Sequence, residues 1–536
     1  MWNKILSLVM DNPVLTLIIV NLLFYGRTLS YGLIIDDIDA FNAQVTKRTT
    51  NFWKNIWLQF KQEYSGNPAI GHLFSIIMHT INTILVYYLF GANDISFLTA
   101  LLFCINPVGN MASTWLSGRT YSISTTLVLT GLMFPILFPI AYYFTFAWSI
   151  NAFMSPLLFL FLGFPLLAGV LPCVAFLNRR RYLGTVKLRL DSVPDRMKKP
   201  DFKKLILVPK TFAYYFILCL FPYRLGMCHS YLHTFGLSEE ETNQWFKLDK
   251  FFWLGLGILT SIGLCIYSMG IAYSFGLIWF CLFILQWCNY IVINHPITER
   301  YAYLANIGLM YFLAQNIINT PVAIVALTAY AILNLKYIPA YKDCLSYWKS
   351  NTDNFPDVAM GYNQYGIELN KIGKIGTAFD VWLQGKMYRQ NDFRINYNIA
   401  NMLMTQGRWD IIKDFIIIAR NNICKINGTQ FWTDKIDELQ RISEQNGVRF
   451  DITPEEEEAI KKQKETDVFV HNQEVNDLNS LQSKPFLHMK YKPDYVKFLE
   501  DKYKVKFEGV EDGTIIQGPT SGSEATGDTG AGGNTI

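Results

Sequence analysis

Long apolar runs separated by short polar connections occupy the first 335 residues of the chain. A membrane-spanning helix needs about 20 consecutive apolar residues, so each charge-free run can be counted as one or more spans. Single spans are predicted at residues 5–35, 68–90, 95–117 and 205–223, with two spans in 251–294 and two in 301–335. This pattern is typical of an all-α, polytopic membrane bundle over residues 1–335.

Between Arg119 and Arg179, fifty-nine residues contain no Asp, Glu, Lys or Arg, which leaves room for two long spans or three shorter ones. The segment 178–210 carries eleven basic side chains against three aspartates, and such loops stay in the cytoplasm. With a cytoplasmic N-terminus, an even number of spans must precede this segment. We therefore predict three spans, interrupted near 149–151 and near Pro165, and eleven spans in all.

Beyond Lys336 the composition becomes that of a soluble helical domain with a spacing of thirty-four residues between matching positions. Thirty-four is the tetratricopeptide period, in which helix-turn-helix units bury one face by stacking on neighbours. We predict such repeats at 336–450, a helical extension at 451–508 and a disordered Gly/Ser/Thr-rich tail at 509–536. The matching pairs are Gly366 with Ala400, Leu369 with Leu403, Gly373 with Gly407, and Asp380 with Asp414.

Composition narrows the class of protein further. The 536 residues are 51% hydrophobic, 15% aromatic and only 17% charged, which is too apolar for an ordinary soluble protein. The net charge is only +4, and no basic run is interleaved with aromatic residues, so no nucleic-acid partner is expected. The apolar N-terminus has no small-residue cleavage site and is interpreted as a retained first span.

Candidate chemistry begins at Asp36 and Asp37, which follow the first span directly. An ionised Asp at bilayer depth costs roughly 2.5–3.5 kcal/mol, so the pair is either a solvated helix stop at the start of an outer loop (36–67) or part of a site. The predicted topology places three further polar connections on the same outer side: Asn106 to Arg119, His229 to His233, and His295 to Arg300. This convergence favours a site.

The second span carries a polar set at helical spacing. His72, Ser75, His79 and Asn82 are separated by three, four and three residues, which places them on one helical face. A polar face in an apolar helix turns away from lipid. Hydrogen bonding between helices and a direct catalytic role are both compatible with it.

Four stretches together resemble the transmembrane and tetratricopeptide repeat O-mannosyltransferases and their bacterial relatives, which have a GT-C glycosyltransferase fold. The resemblance covers nearly all of residues 5–420. It is carried by 71–82, Gly-His-Leu-Phe-Ser through His-Thr-Ile-Asn; by 106–119, which ends in Trp-Leu-Ser-Gly-Arg; by 299–304, Glu-Arg-Tyr-Ala-Tyr-Leu; and by 341–356 with Trp348.

The resemblance implies transfer of one sugar, typically mannose, from a polyprenyl-phosphate carrier to Ser or Thr hydroxyls on the non-cytoplasmic face, in the endoplasmic reticulum lumen or the bacterial exterior. Asp36 would be the base, and Asp37 would orient the acceptor or a divalent metal ion. Arg119 and Arg300 would bind the donor phosphate. His72, His79, Asn82 and Glu299 would support the site, and the repeats would hold the acceptor polypeptide.

The sequence also departs from the family. Asn106 and Gly109 stand where a His usually flanks the proline, and a Lys-Glu pair expected around 163–165 is absent. The second departure keeps open an alternative, a catalytically inactive membrane scaffold that recruits partners through its helical repeats. A secondary transporter ranks lower, because no inverted internal repeat is visible.

Overall fold

A computed structural model describes residues 12–38, 67–145, 149–177, 201–232, 244–292, 295–423 and 429–450. These residues form helices and connecting loops with no strand among them, which confirms the all-α prediction. They divide into two compact units, one up to Glu368 and one from Leu369. The predicted extension 451–508, the tail 509–536, most of the loop 36–67 and residues 178–200 of the basic segment lie outside the described residues.

The first unit is built from long helices joined by short turns. Its principal helices are α1 (Pro13–Tyr25), α2 (Pro68–Leu89), α3 (Asp94–Ile105), α4 (Arg119–Met133), α5 (Leu207–Leu220), α6 (Lys250–Tyr273), α7 (Phe275–Leu285), α8 (Tyr303–Ile317), α9 (Pro321–Tyr337), α10 (Cys344–Asn354) and α11 (Ala359–Lys371), the last of which ends in the second unit. Shorter turns of helix lie at Gly26–Ser30, Pro107–Gly109, Asn110–Ser113, Phe202–Ile206, Glu299–Ala302 and Ile338–Lys342.

Polar caps fix where the apolar helices begin. Asn67 accepts a hydrogen bond from the Ala69 amide at 3.0 Å, ahead of Pro68 as the first residue of α2. Asp249 accepts from the Phe251 and Phe252 amides, both at 3.0 Å, and so caps α6. Such caps satisfy amides that have no partner inside the helix.

Four described segments are long and apolar enough to cross a membrane: Pro13–Ser30, Pro68–Leu89, Lys250–Tyr273 and Pro321–Lys342. A fifth arises if Asp94–Ile105 and Pro107–Ser113, bent by 55° at the intervening break, count as one broken span. Pro107 stands at this bend, as expected for a residue that cannot continue the helical hydrogen bonding. These segments are consistent with membrane association, and the count of eleven spans stays a prediction.

The charge-free region is more fragmented than its composition suggests. Its breaks near 149–151 and at Pro165 are as predicted, and a further break at Phe134 and Pro135 was not. Prolines and a left-handed Gly163 (φ 82°) interrupt the helical hydrogen bonding here. After α4 the pieces are Pro135–Leu137, Phe138–Thr145, Ile150–Ala152, Ser155–Leu157, Leu158–Phe161, Pro165–Ala168 and Val170–Leu177.

One element of the predicted topology is wrong. It places Lys210 at the cytoplasmic end of the 205–223 span and Asp249 at the outer end of the next, yet the Lys210 ammonium lies 2.9 Å from the Asp249 carboxylate. Lys210 is buried near the start of α5, and its ammonium also donates to the carbonyl oxygens of Trp245 and Lys247, just before Asp249. The two residues therefore lie side by side and not at opposite ends of a span.

The contact between α5 and α6 depends on a glycine. A Cβ added at Gly255 would lie 1.9 Å from the Pro209 carbonyl oxygen. We therefore expect Gly255→Ala to force the two helices apart and to lower the free energy of unfolding by roughly 1–3 kcal/mol. Thermal unfolding of the detergent-purified protein measures this loss.

Gly257 in the same helix provides the matched control, because no atom lies within 4 Å of its added Cβ. Gly257→Ala should leave the Tm unchanged or slightly raised, since alanine favours helix. Equal Tm values for the two variants would contradict the close approach of α5 and α6.

The second unit repeats one geometry at the predicted spacing. It contains the end of α11, α12 (Ile375–Tyr388), α13 (Phe393–Thr405), α14 (Trp409–Asn421) and α15 (Thr429–Gln445). Gly373 and Gly407 both have positive φ, 81° and 67°, in the turns after α11 and α13. The next residue of each turn donates its amide to the carbonyl of Leu369 at 3.0 Å or of Leu403 at 2.9 Å. The thirty-four-residue spacing thus corresponds to matching helix-turn-helix turns.

Candidate functional site

The carboxylate pair lies in a short helical turn, 36–38, that follows the irregular residues 31–35. This segment, called loop 31–38, is fixed to the chain after α9. The Gly32 amide donates to the Lys342 carbonyl oxygen at 3.0 Å, and the Ile35 amide contacts the Cys344 sulfur at 3.3 Å. Tyr31 and Ile34 are buried in a hydrophobic cluster shared with Met111, Trp115, Met227, Tyr341, Tyr347 and Trp348. Ile35 has a φ of 50°, which is strained for a β-branched residue. Such strain recurs at functional sites.

Asp37 is a structural anchor of this loop. It is buried, and its Oδ1 accepts the amide of Ser117 at 2.8 Å together with the Ser117 hydroxyl. Its Oδ2 accepts the Ile34 amide at 3.3 Å. Burial, which the hydrogen bonds from Ser117 partly offset, raises the pKa of the Asp37 carboxyl to about 6.

This pKa predicts a pH dependence of stability. Between about pH 4 and pH 6 folded Asp37 holds a proton that the unfolded chain has lost, so its contribution to stability falls as pH rises. A shift of about two units corresponds to roughly 3 kcal/mol. We expect Asp37→Asn, which does not titrate, to gain that much relative to wild type between pH 4 and 7 in thermal unfolding. Parallel pH profiles for the two proteins would contradict this.

Asp36 is placed differently from its neighbour. It is half-buried, whereas Asp37 is almost completely shielded from solvent. Its negative charge is close enough to Arg300 to favour the guanidinium cation there. Of the two carboxylates, Asp36 is therefore the one that an incoming group can reach.

The two predicted phosphate-binding arginines are both buried on polar loops beside the carboxylates. Arg119 is the first residue of α4, and its guanidinium carbon lies 5.5 Å from the Phe74 ring centre. Its positive charge is one of the smaller influences that lower the pKa of the Asp37 carboxyl and so partly offset burial. Arg300 lies over the Trp115 ring at 5.2 Å. The structure thus brings both arginines to the side of the unit that carries loop 31–38.

A tight turn positions Ser117 and Arg119. A Cβ added at Gly118 would lie 2.0 Å from the Met111 carbonyl oxygen, so only glycine fits between them. The loop from Asn110 to Gly118 therefore folds back on itself, presents Ser117 to Asp37 and starts α4 at Arg119.

Glu299 belongs to a buried chain of hydrogen bonds. Its Oε1 accepts the Gly226 amide at 2.6 Å and lies 3.1 Å from Nε2 of His229. The other nitrogen of His229, Nδ1, is 2.9 Å from the Tyr214 hydroxyl. The segment that contains Gly226 and His229 is also held by α10, because Met227 donates its amide to the Asn351 side-chain oxygen at 3.1 Å. His233 lies outside the described residues.

The polar face of α2 is confirmed, but its members do different things. His72, Ser75, His79 and Asn82 are all buried, while Leu73, Ile77 and Ile81 are exposed. His72 lies at the loop, with Nε2 3.3 Å from the Gly32 carbonyl oxygen.

His79 and Asn82 lie about 10 Å or more further along α2 and hydrogen-bond between helices. Nε2 of His79 is 3.1 Å from the Cys104 carbonyl oxygen. Since a carbonyl only accepts, Nε2 carries the hydrogen, and Nδ1 accepts from the Tyr303 hydroxyl at 2.6 Å. Asn82 donates to the Ser122 carbonyl at 2.9 Å and accepts from Thr126 at 2.7 Å. For these two residues the geometry fits the interhelical interpretation.

Three contributors were not singled out from the sequence. Ser117 and Trp115 lie within the Trp-Leu-Ser-Gly-Arg stretch, where the arginine alone was chosen. Tyr214 lies inside an apolar run, where a tyrosine carries no signal of its own. A carboxylate and a hydroxyl eighty residues apart leave no local pattern in a single sequence.

Among the residues that the structure describes, no group of three His, Cys, Asp or Glu side chains is placed to bind a metal ion. Comparison with protein-family models, with curated proteins and with solved structures finds no match to this chain.

Proposed function

We propose that this protein is a membrane glycosyltransferase that moves one sugar, mannose in the first instance, from a polyprenyl-phosphate carrier to a Ser or Thr hydroxyl of a polypeptide. The observation that supports this most strongly is a half-buried carboxylate, Asp36, whose charge lies within electrostatic range of the buried Arg300 guanidinium, next to a strained residue, Ile35, in a segment fixed by Asp37. A base beside fixed cations is what such a transfer requires.

In the proposed reaction the acceptor hydroxyl oxygen bonds to the anomeric carbon of the sugar, and the bond from that carbon to the phosphate oxygen breaks. Asp36 takes the hydroxyl proton, a contribution worth roughly 10²–10⁴-fold. Arg119 stabilises the negative charge on the departing polyprenyl phosphate. Attack from the side opposite the phosphate inverts the configuration at the anomeric carbon.

Asp37 receives a positioning role in this scheme. Both of its carboxylate oxygens already accept hydrogen bonds from Ser117 and Ile34. It holds the segment that carries Asp36, and it ties that segment to the one that carries Arg119. This replaces the expectation that Asp37 contacts the acceptor or a metal ion.

The finer architecture is part of the proposal: a GT-C-like bundle of about eleven spans, followed by tetratricopeptide-type repeats that bind the acceptor polypeptide. The matching turns at Gly373 and Gly407 support the repeats. The non-cytoplasmic position of Asp36 and Asp37 follows from the first span, with the N-terminus in the cytoplasm. The same position of the repeats follows from an odd total of spans.

The test is transfer by the wild-type protein in lipid nanodiscs. Radiolabelled polyprenyl-phosphate mannose and a Ser/Thr-rich peptide should give a labelled peptide. A folded protein that transfers neither mannose nor glucose would instead favour the inactive scaffold, the alternative suggested by the absence of Lys and Glu between Arg119 and Arg179.

A further inference from the structure

Only one of the two oxygens of the Glu299 carboxylate makes hydrogen bonds with the described residues. Oε1 is occupied by the Gly226 amide and by His229. Oε2 is buried and has no hydrogen-bond partner among the described residues. A carboxylate oxygen left in this condition costs free energy comparable to the loss of a strong hydrogen bond, so a donor group is expected to meet it.

Buried hydrogen-bond donors without partners lie at Arg300, the residue after Glu299, and on the segment that contacts it. Nε of Arg300, Nε1 of Trp115 and the hydroxyl of Thr114 are buried and make no hydrogen bond within the described ranges. The Arg300 guanidinium lies over the Trp115 ring at 5.2 Å. Tyr347 lies within electrostatic range of both Glu299 and Arg300. One acceptor and several donors thus lie along a single turn and the loop facing it.

This combination distinguishes between two kinds of ligand group. A phosphodiester only accepts hydrogen bonds and carries negative charge, so it would be repelled by the open oxygen of Glu299. A sugar hydroxyl donates and accepts at once, which suits a carboxylate oxygen beside guanidinium and indole N–H groups. This combination of one hydrogen-bond acceptor with several donors therefore fits sugar hydroxyls and does not fit a phosphate alone.

We propose that the Glu299–Arg300 turn, together with Trp115, binds the hydroxyl groups of the donor sugar, whereas Arg119 binds the phosphate. This inference rests on the proposed function, and it reassigns Arg300 from the phosphate to the sugar. His229 acts as a positioning residue, because it holds Oε1 of Glu299 through Nε2 and is itself held by the Tyr214 hydroxyl through Nδ1.

Two probes separate sugar recognition from phosphate recognition: a short-chain polyprenyl-phosphate mannose and the same polyprenyl phosphate without the sugar. Wild type should bind the mannose carrier more tightly. Glu299→Gln should weaken binding of the mannose carrier roughly ten- to hundredfold, the worth of a charged hydrogen bond, and leave the bare phosphate within about twofold. Arg119→Gln should weaken both probes.

Two further variants keep the test decisive. Asp353→Asn, a carboxylate-to-amide change at an exposed position of α10, should alter neither affinity. Trp115→Phe keeps the ring beneath Arg300 and removes the Nε1 donor, so it should weaken the mannose carrier about fivefold without changing the bare phosphate. Retained binding of the bare phosphate shows in each case that the variant is folded.

The failures are distinguishable. If wild type binds both probes equally, or if Glu299→Gln weakens both equally, the sugar assignment is overturned while the glycosyltransferase proposal stands. If wild type binds neither probe, the proposed function fails and this inference fails with it. If Glu299→Gln does not fold, an unchanged preference for the mannose carrier in Trp115→Phe overturns the assignment.

Discussion

Asp36→Asn is expected to lower the turnover of sugar transfer by roughly 10²- to 10⁴-fold, because the amide cannot take the proton of the acceptor hydroxyl. The Asp36 side chain is half-buried, so the fold should be retained. The donor affinity should change far less than kcat, since the role of Asp36 lies in the reaction step. Initial rates with labelled polyprenyl-phosphate mannose measure the effect.

Asp353→Asn makes the same chemical change at an exposed position of the first unit and should keep the wild-type rate. Asp37→Asn should show itself mainly in thermal unfolding, because Asp37 holds the loop. Turnover at the wild-type level in Asp36→Asn would remove Asp36 from the mechanism.

Arg119→Gln is expected to lower transfer by roughly 10²- to 10³-fold, the usual cost of removing one group that stabilises developing negative charge. The side chain is fully buried, and its guanidinium carbon lies 5.5 Å from the Phe74 ring centre. Solvent therefore does not stabilise the departing phosphate when the arginine is removed. Arg119→Lys keeps the charge but not the forked geometry and should fall between wild type and Arg119→Gln. Single-turnover rates at saturating donor are the measurement.

Lys203→Gln removes one positive charge at an exposed position of the turn Phe202–Ile206. It is the control and should leave the transfer rate unchanged. Thermal unfolding separates a catalytic loss from a packing loss, because Arg119 also fills space beside Phe74. An Arg119→Gln protein that is folded and binds bare polyprenyl phosphate like wild type would contradict the assignment of the phosphate to this residue.

Local patterns were readable from the sequence where one element determines the outcome. The spacing of His72, Ser75, His79 and Asn82 correctly predicted one buried face, because helical periodicity is a property of the helix itself. Gly373 and Gly407 marked matching turns for the same reason. Their positive φ values are a local requirement.

Long-range contacts were not readable in this way. The bonds from Asp37 to Ser117 and from Glu299 to His229 join residues eighty and seventy positions apart, and nothing in either local sequence specifies the partner. Counting charges failed at Lys210, because its carboxylate partner Asp249 lies thirty-nine positions further along the chain, and composition does not show such a pairing.

The stereochemistry of a single transfer tests the central claim most directly. Wild-type protein in nanodiscs would receive polyprenyl-phosphate mannose of known anomeric configuration, and the mannosyl-peptide would be examined by NMR, with Asp36→Asn as the blank. Direct attack by a hydroxyl with Asp36 as base predicts a product of inverted configuration that forms at least about a hundredfold more slowly in the blank. A product of retained configuration, or equal product from the blank, would contradict it.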